Sequence, residues 1–203
     1  VRRICGRNRP LPTGGAPPKL PFWAFRRTCA QVFRASALPV APARRVPWVC
    51  GDSRTALDNA PQADFLFSCP PYGDLEQYSD DPRDLSTMDY PAFTASLGGI
   101  VRAACHRLKP DRFACFVVGD FRDKRGNYRN FVSDTISAFL SAGCHLYNEA
   151  ILVTQVGSLP VRVGKQWTTS RKLGKTHQNV LVFVKGDGKR AAAACNLTPG
   201  DNQ

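Results

Sequence analysis

The apolar run Phe65-Leu66-Phe67 leads through Ser68 into Cys69-Pro70-Pro71-Tyr72. Proline has no N–H to spend on a sheet, so a Pro-Pro turn at a strand end can aim a backbone carbonyl outward. The aromatic ring of Tyr72 adds a face on which a planar group can stack. An exocyclic amine on adenine or cytosine is a poor nucleophile because its lone pair is delocalised into the ring. Chemistry at such a nitrogen needs acceptors that grip its hydrogens and a partner held in line. Residues 68–72 have the groups for such a clamp on a flipped base. A plain loop after a strand is the competing reading.

The elements around the motif imply an α/β fold with a largely parallel sheet. Short apolar runs at 46–50, 65–67, 113–118, 150–153 and 180–184 read as strands. Residues 91–108 and 128–142 carry helical apolar spacing, the second stopped by Gly143. Lys109-Pro110-Asp111 reads as a turn. The last two strands have a polar, glycine-bearing excursion and no helix between them, so they are expected to pair antiparallel. In open α/β sheets ligand sites gather at the carboxyl ends of the strands. Those ends are Gly51-Asp52, Ser68 to Tyr72 and Gly119-Asp120. Asp52 is read either as a binding carboxylate or as a helix cap or turn residue, and Asp120 carries the same alternative. Pro110-Asp111 has no nearby acidic-x-Lys element, which argues against a metal-dependent nuclease.

Charge is distributed unevenly. Residues 1–50 hold nine Arg and one Lys and no carboxylate, while the other 153 residues carry 18 basic and 16 acidic side chains. The overall basicity is therefore mostly local. Residues 155–177 add Arg162, Lys165, Arg171, Lys172 and Lys175 without an acid, together with Trp167. Cations with an aromatic among them suit phosphate contact and base stacking, against the alternative of a solvated surface loop. By contrast residues 73–90 hold six carboxylates and one Arg. They read as a lid or a mobile flap, away from a phosphate backbone. The eight cysteines include no C-x2-4-C pair, so a zinc site is not expected and no metal is assigned. No apolar run approaches the roughly 18–20 residues of a membrane span, and no export signal is read.

The block Phe65 to Tyr72 resembles the catalytic motif of amino-group DNA methyltransferases: Asp, Asn or Ser, then Pro-Pro and an aromatic. The resemblance runs over residues 46–188, to the phage and bacterial N4-cytosine/N6-adenine family. Gly51-Asp52-Ser53 matches the segment before the motif, and Leu108 to Asp123 the strand after it. Gly157-Ser158-Leu159-Pro160 through Val184-Lys185 resembles the closing hairpin. The resemblance implies a Rossmann-like sheet, mostly parallel with an antiparallel final strand, and S-adenosylmethionine as cofactor. It implies DNA as partner, with no membrane role, and a cytoplasmic location in a bacterium or phage-infected host. Carried over by position, Pro70 offers its carbonyl to the target amine and Tyr72 stacks on the base, with Pro71 completing the turn. Asp52, beside Gly51, bonds the adenine end of the cofactor, and Asp120 is a further cofactor candidate. Cys69 departs from the family pattern. A thiol is a weak acceptor, which throws more of the grip onto the backbone carbonyl; Ser68 offers a hydroxyl from the opposite strand face.

The family also needs a glycine-rich turn between a first strand and helix, close to the methionine end of the cofactor. The sequence before residue 46 offers only Gly14-Gly15, without a preceding apolar strand. The fold is accordingly expected to be incomplete at the N-terminus. Two readings of residues 1–45 stay open: a disordered basic Pro/Arg-rich arm, or a stretch translated out of frame in place of the cofactor-binding unit. Residues 189–203 read as a flexible tail. An inactive DNA-binding remnant, or amino methylation of RNA or of a protein glutamine, are the alternative functions.

Overall fold

A computed structural model describes residues 49–153 and 159–195, with the side chains of 159–162 outside the description. Residues 1–45, Val46-Pro47-Trp48 and Gly157-Ser158 lie outside the described residues, and Val49 and Cys50 carry no strand. In chain order the elements are α1 (Ser53–Ala56), β1 (Ala63–Ser68), α2 (Tyr90–Arg107), β2 (Leu108–Val118), α3 (Phe131–Ser141), β3 (His145–Val153), α4 (Leu159–Ser170), β4 (His177–Lys185) and α5 (Gly188–Ala194). The strands form one sheet in the order β1-β2-β4-β3. β1 and β2 run parallel, joined through α2, whereas β4 pairs antiparallel with both β2 and β3. The fold is α/β with antiparallel closing strands. Among the described residues the parallel part is the β1–β2 pair.

Helix α2 starts where Asp89 accepts a hydrogen bond from Ala92 N at 2.9 Å, with a proline in its first turn. Such a cap satisfies a donor that the helix cannot. Its buried residues Phe93, Leu97, Val101, Ala104 and Cys105 fall on one stripe. Lys185 Nζ donates to the carbonyls of Cys105 and Leu108 at 2.8 and 2.6 Å, fastening the helix end to β4. Phe131, Thr135 and Phe139 of α3 repeat every four residues and are buried. Gly143, at φ +80°, follows as the stop, its N–H donating to Leu140 O at 3.0 Å.

Both helices bury one face of the sheet. Ala114, Phe116 and Val118 of β2 point into it, as do Leu181 and Phe183 of β4. Phe139 stacks flat on Phe183 with centroids 3.9 Å apart and meets Phe116 edge-on at 4.8 Å. Alternate β2 residues, Phe113, Cys115 and Val117, are only half-buried on the second face. There Phe113 meets Tyr147 at 5.2 Å, and α5 brings Gly188 against the Tyr147 ring.

Three details differ from the sequence reading, the first being that residues 189–194, expected in a flexible tail, belong to helix α5 with Ala191 buried. Lys109-Pro110-Asp111 is a bulge inside β2 rather than a turn before it: the β1–β2 register slips between Ala63 and Phe65. Asp111 takes φ 54° there, and its carboxylate is held by Arg190 Nε at 2.7 Å and Asp187 N at 2.8 Å. Those tertiary bonds let the chain continue as a strand past a proline. The excursion after β3 contains helix α4, which Pro160, Gly164 and a run of hydroxyls conceal from periodicity. Arg171, at φ 53°, ends it, its N–H bonded to Trp167 O at 2.9 Å.

Candidate active site

The carboxyl ends of β1 and β2 and the entry to β4 share one rim of the sheet. Ser68 closes β1 opposite Phe116, and Val118 at the end of β2 faces Asn179. Cys69-Pro70-Pro71-Tyr72 emerges there, with Cys69 exposed and both prolines buried. Tyr72 is held from two sides, edge-on to Phe121 at 6.1 Å and to Phe131 at 5.8 Å. Edge-to-face contacts of this kind fix a ring plane. Gly73, at φ +53°, then turns the chain under Phe121, which a Cβ would meet at 2.9 Å. Only glycine fits there without displacing the aromatic wall.

Gly119 leaves a gap beside that wall. A Cβ placed on it would stand 3.4 Å from Lys175 Nζ and 3.6 Å from Tyr72 Cε1. Lys175 reaches the rim from the segment before β4 and donates to Asp120 O at 3.4 Å. Its ammonium is partly desolvated there, which lowers its pKa, against a smaller opposing pull from Asp120. The Asp120 side chain accepts from Val132 N at 2.9 Å, at the start of α3.

Asp52 caps α1 through Arg54 N at 3.0 Å and forms an ion pair with Arg54 Nη2 at 2.7 Å. The Arg54 hydrogen bond holds its pKa below the ordinary carboxylate value. Gly51 precedes it, exposed. Arg54 also donates to Arg83 O at 3.1 Å, tying this end to the acidic segment. That segment is folded by its own hydrogen bonds: Asp84 Oδ1 accepts from both Ser86 N and Ser86 Oγ, at 2.9 and 2.8 Å.

Of the basic residues expected in the excursion, Lys175 joins the rim. Lys172 lies against Gly126, and Arg171 sits over the Trp167 ring at 5.5 Å. Lys165 and Trp167 are exposed on α4, and Arg162 lies on α4 with its side chain outside the described residues. The structure adds three residues that the sequence reading missed. Arg122 and Tyr128 bridge the turn after β2, with the guanidinium 3.9 Å over the ring. Arg129 lies 4.5 Å over Tyr90 and 3.7 Å from Asp74 Oδ1, behind the Tyr72 wall. The turn signal Asp123…Gly126-Asn127 was present in the sequence; nothing local tied it to the motif about 50 residues earlier. Among the described residues no cluster of three His, Cys, Asp or Glu side chains suits a metal, and no helix is long and apolar enough to cross a membrane.

No protein-family model and no curated protein matches the sequence. Solved structures of TTHA0409 from Thermus thermophilus, described as a candidate DNA modification methylase, do match. A selenomethionine form shares 20% identity at a TM-score of 0.50, covering 75% of this chain and 55% of that one. A second structure of the same protein shares 21% identity at a TM-score of 0.51, covering 75% and 56%. A third, complexed with S-adenosyl-L-methionine, aligns at 19% identity and a TM-score of 0.49, covering 75% and 58%. The likeness at 20–21% identity is one of fold, and the chain spans little more than half the length of the structures it matches.

Proposed function

We propose that this chain carries the substrate-gripping part of an enzyme that methylates an exocyclic amino group in DNA, adenine N6 or cytosine N4, from S-adenosylmethionine. The observation that carries the reading is Cys69-Pro70-Pro71-Tyr72 at the carboxyl end of a parallel strand, with its Tyr72 ring fixed by Phe121 and Phe131 beside Gly119. The fold shared with a candidate DNA modification methylase supports it.

The residues divide the work as follows. The Pro70 carbonyl accepts a hydrogen bond from the target amine and favours a pyramidal nitrogen. Tyr72 stacks on the base, and its fixed plane lowers the cost of orienting that base. Cys69 is exposed at the position where a stronger acceptor would serve, so the backbone carries more of the grip. The basic residues of α4 and the segment after it hold the phosphates.

The cofactor side fits less well. Bound S-adenosylmethionine supplies a methyl carbon made electrophilic by its sulfonium. Asp52 stands at the position to bond its adenine end, but both Asp52 oxygens are engaged by Arg54. No glycine-rich strand–turn–helix occurs among the described residues. They therefore complete the substrate clamp and not the cofactor cradle.

Labelled S-adenosylmethionine with mixed-sequence DNA, followed by nucleoside analysis, tests the proposal. Recovery of N6-methyladenine or N4-methylcytosine is the expected result. DNA binding without transfer assigns the chain as an inactive DNA-binding remnant. Transfer to RNA or to a protein glutamine in competition would move the substrate class.

A further inference from the structure

The turn after β2 is more rigid than its exposure suggests. Arg122 and Tyr128 pair across it, Asp123 N donates to Asn127 O at 2.9 Å, and Gly126 N donates to Asp123 O at 2.9 Å. Asn127 N adds a bond to Asp123 Oδ1 at 2.9 Å. Gly126 has φ +91°, and Lys172 occupies the space a Cβ would need. The turn and the segment after α4 thus lean on one another. Arg122 Nη1 donates to Gly126 O at 2.8 Å while its guanidinium lies over the Tyr128 ring. A cation and an aromatic are pre-set in one geometry, although Tyr128 is 47% exposed.

Between these two segments lies a cavity of about 220 Å³, lined by Phe121, Arg122, Tyr128, Gln166 and the stretch Leu173-Gly174-Lys175. Its walls are two aromatic rings and one leucine, its polar groups one amide, the Tyr128 hydroxyl and two cations, and its lining has no carboxylate. Aromatic walls take a flat, weakly polar body. A glutamine amide both donates and accepts, and can read a base edge. Two cations with no acid favour an attached anion. Together these select a nucleobase carrying its phosphate. Phe121 is shared: it meets the Tyr72 ring at a near-perpendicular angle, and it also lines this cavity. The cavity and the Pro-Pro clamp are therefore neighbours separated by a single ring.

We infer that this cavity holds the nucleotide adjacent to the one gripped at Pro70 and Tyr72, with its base against the Phe121 and Tyr128 walls on the side that Arg122 leaves open and its phosphate between Arg122 and Lys175. The inference rests on the nucleic-acid reading above and deepens it. The clamp takes the base that reacts, and the cavity takes the neighbour that sets its sequence context. Gln166, exposed on α4, discriminates among neighbours by pairing its amide with a matching base edge.

The test uses the full chain and single-stranded oligodeoxynucleotides, read by fluorescence anisotropy, with 2-aminopurine at one position to report unstacking. Base–aromatic stacking is worth about 1–3 kcal/mol, so Tyr128→Ala should weaken binding by roughly 5- to 150-fold. Tyr128→Phe should restore affinity to within about threefold of the native chain, since it keeps the stacking face. Gln166→Leu should level the preference among A, C, G and T at the neighbouring position by weakening binding to the preferred one most. Arg190→Gln, at the bulge near the opposite end of β2, serves as the control with native affinity. Thermal midpoints confirm that each variant is folded, and Arg122→Gln gives a second route to the same answer if Tyr128→Ala is not.

Native affinity in Tyr128→Ala and Arg122→Gln overturns the inference while leaving the DNA reading in place. Loss of methyl transfer with these effects on binding intact overturns the activity alone. A native chain that binds no oligonucleotide overturns both.

Discussion

Lys175 Nζ lies 3.4 Å from the backbone carbonyl oxygen of Asp120, which brings the segment before β4 onto the end of β2. The same ammonium and the Tyr72 ring flank the space above Gly119. One cation, one aromatic and one missing side chain thus define the mouth of the site, and each can be altered separately.

Lys175 is partly desolvated, so its folded pKa lies below the ordinary lysine value. A lowered lysine pKa penalises the charged form, and the penalty is present at every pH below the folded value. Above the unfolded value, where lysine is neutral in both states, the penalty disappears. Lys175→Met should therefore keep or slightly raise the thermal midpoint near neutral pH, while DNA affinity falls and its salt dependence shallows by about one phosphate contact. Thermal melts and binding at several salt concentrations measure the two effects. An unchanged salt slope would remove Lys175 from the interface.

Gly119→Ala adds a methyl group in ordinary contact distance of Lys175 and Tyr72. Stability should change by less than about 1 kcal/mol, because no backbone atom is struck and the amine can move aside. Base binding and transfer should fall several-fold as the mouth narrows. A chain that keeps full affinity with alanine there would show that the base enters by another route.

Tyr72→Ala removes both the stacking face and the contacts to Phe121 and Phe131. Loss of about 2–4 kcal/mol of stability is expected along with weaker base binding. Tyr72→Phe keeps the ring and should retain most of both, so comparing the two separates packing from recognition. At the start of the same motif Cys69→Ser or Cys69→Asp should keep or raise transfer, since either supplies a better acceptor than a thiol. Kinetics with saturating DNA check this, and a sharp loss in both variants would give the thiol a role of its own.

Asp64 bridges β1 to β2 through Lys109 at 2.7 Å and, more loosely, Arg112 at 3.4 Å. The Lys109 hydrogen bond holds the Asp64 pKa below the ordinary carboxylate value. Its contribution is therefore present above about pH 4 and is lost as pH falls through the lowered folded value. The pair is part-exposed, so Asp64→Asn should cost at most about 1 kcal/mol at pH 7. The difference between native and variant chains should close in acid. A gap that persists below the folded pKa would mean the carboxylate charge is not the source.

Much of the scaffold was legible because its signals are local. Helix α2 was expected over 91–108 and occupies Tyr90–Arg107, since one apolar stripe and an Asp-x-Pro start dictate it. Each strand from β1 onward is expected from its apolar run, though all four begin earlier than those runs, β2 and β3 furthest. The arrangement of the site was less accessible. Phe121 and Phe131, which hold Tyr72, are ordinary core residues by sequence, and only the folded rim makes them its supports. Helix α4 has no clean period. Arg122 and Tyr128 become a pair through a turn bridge, and nothing in a linear reading separates them from other surface residues. The motif at 69–72 was visible because its residues stand in consecutive positions.

The reversal of direction between β2 and β4 has an engineering consequence. The outgoing end of one strand and the incoming end of the other meet at Gly119 and Lys175, so the rim is fixed by the ladder from Arg112↔Lys185 to Val118↔Asn179. The turn at 122–128 and the stretch from α4 to Lys172 hang from that ladder without forming it. They are in effect a removable cassette. Grafting another turn between Phe121 and Arg129 should alter which neighbours are read, while the clamp beneath keeps its registration.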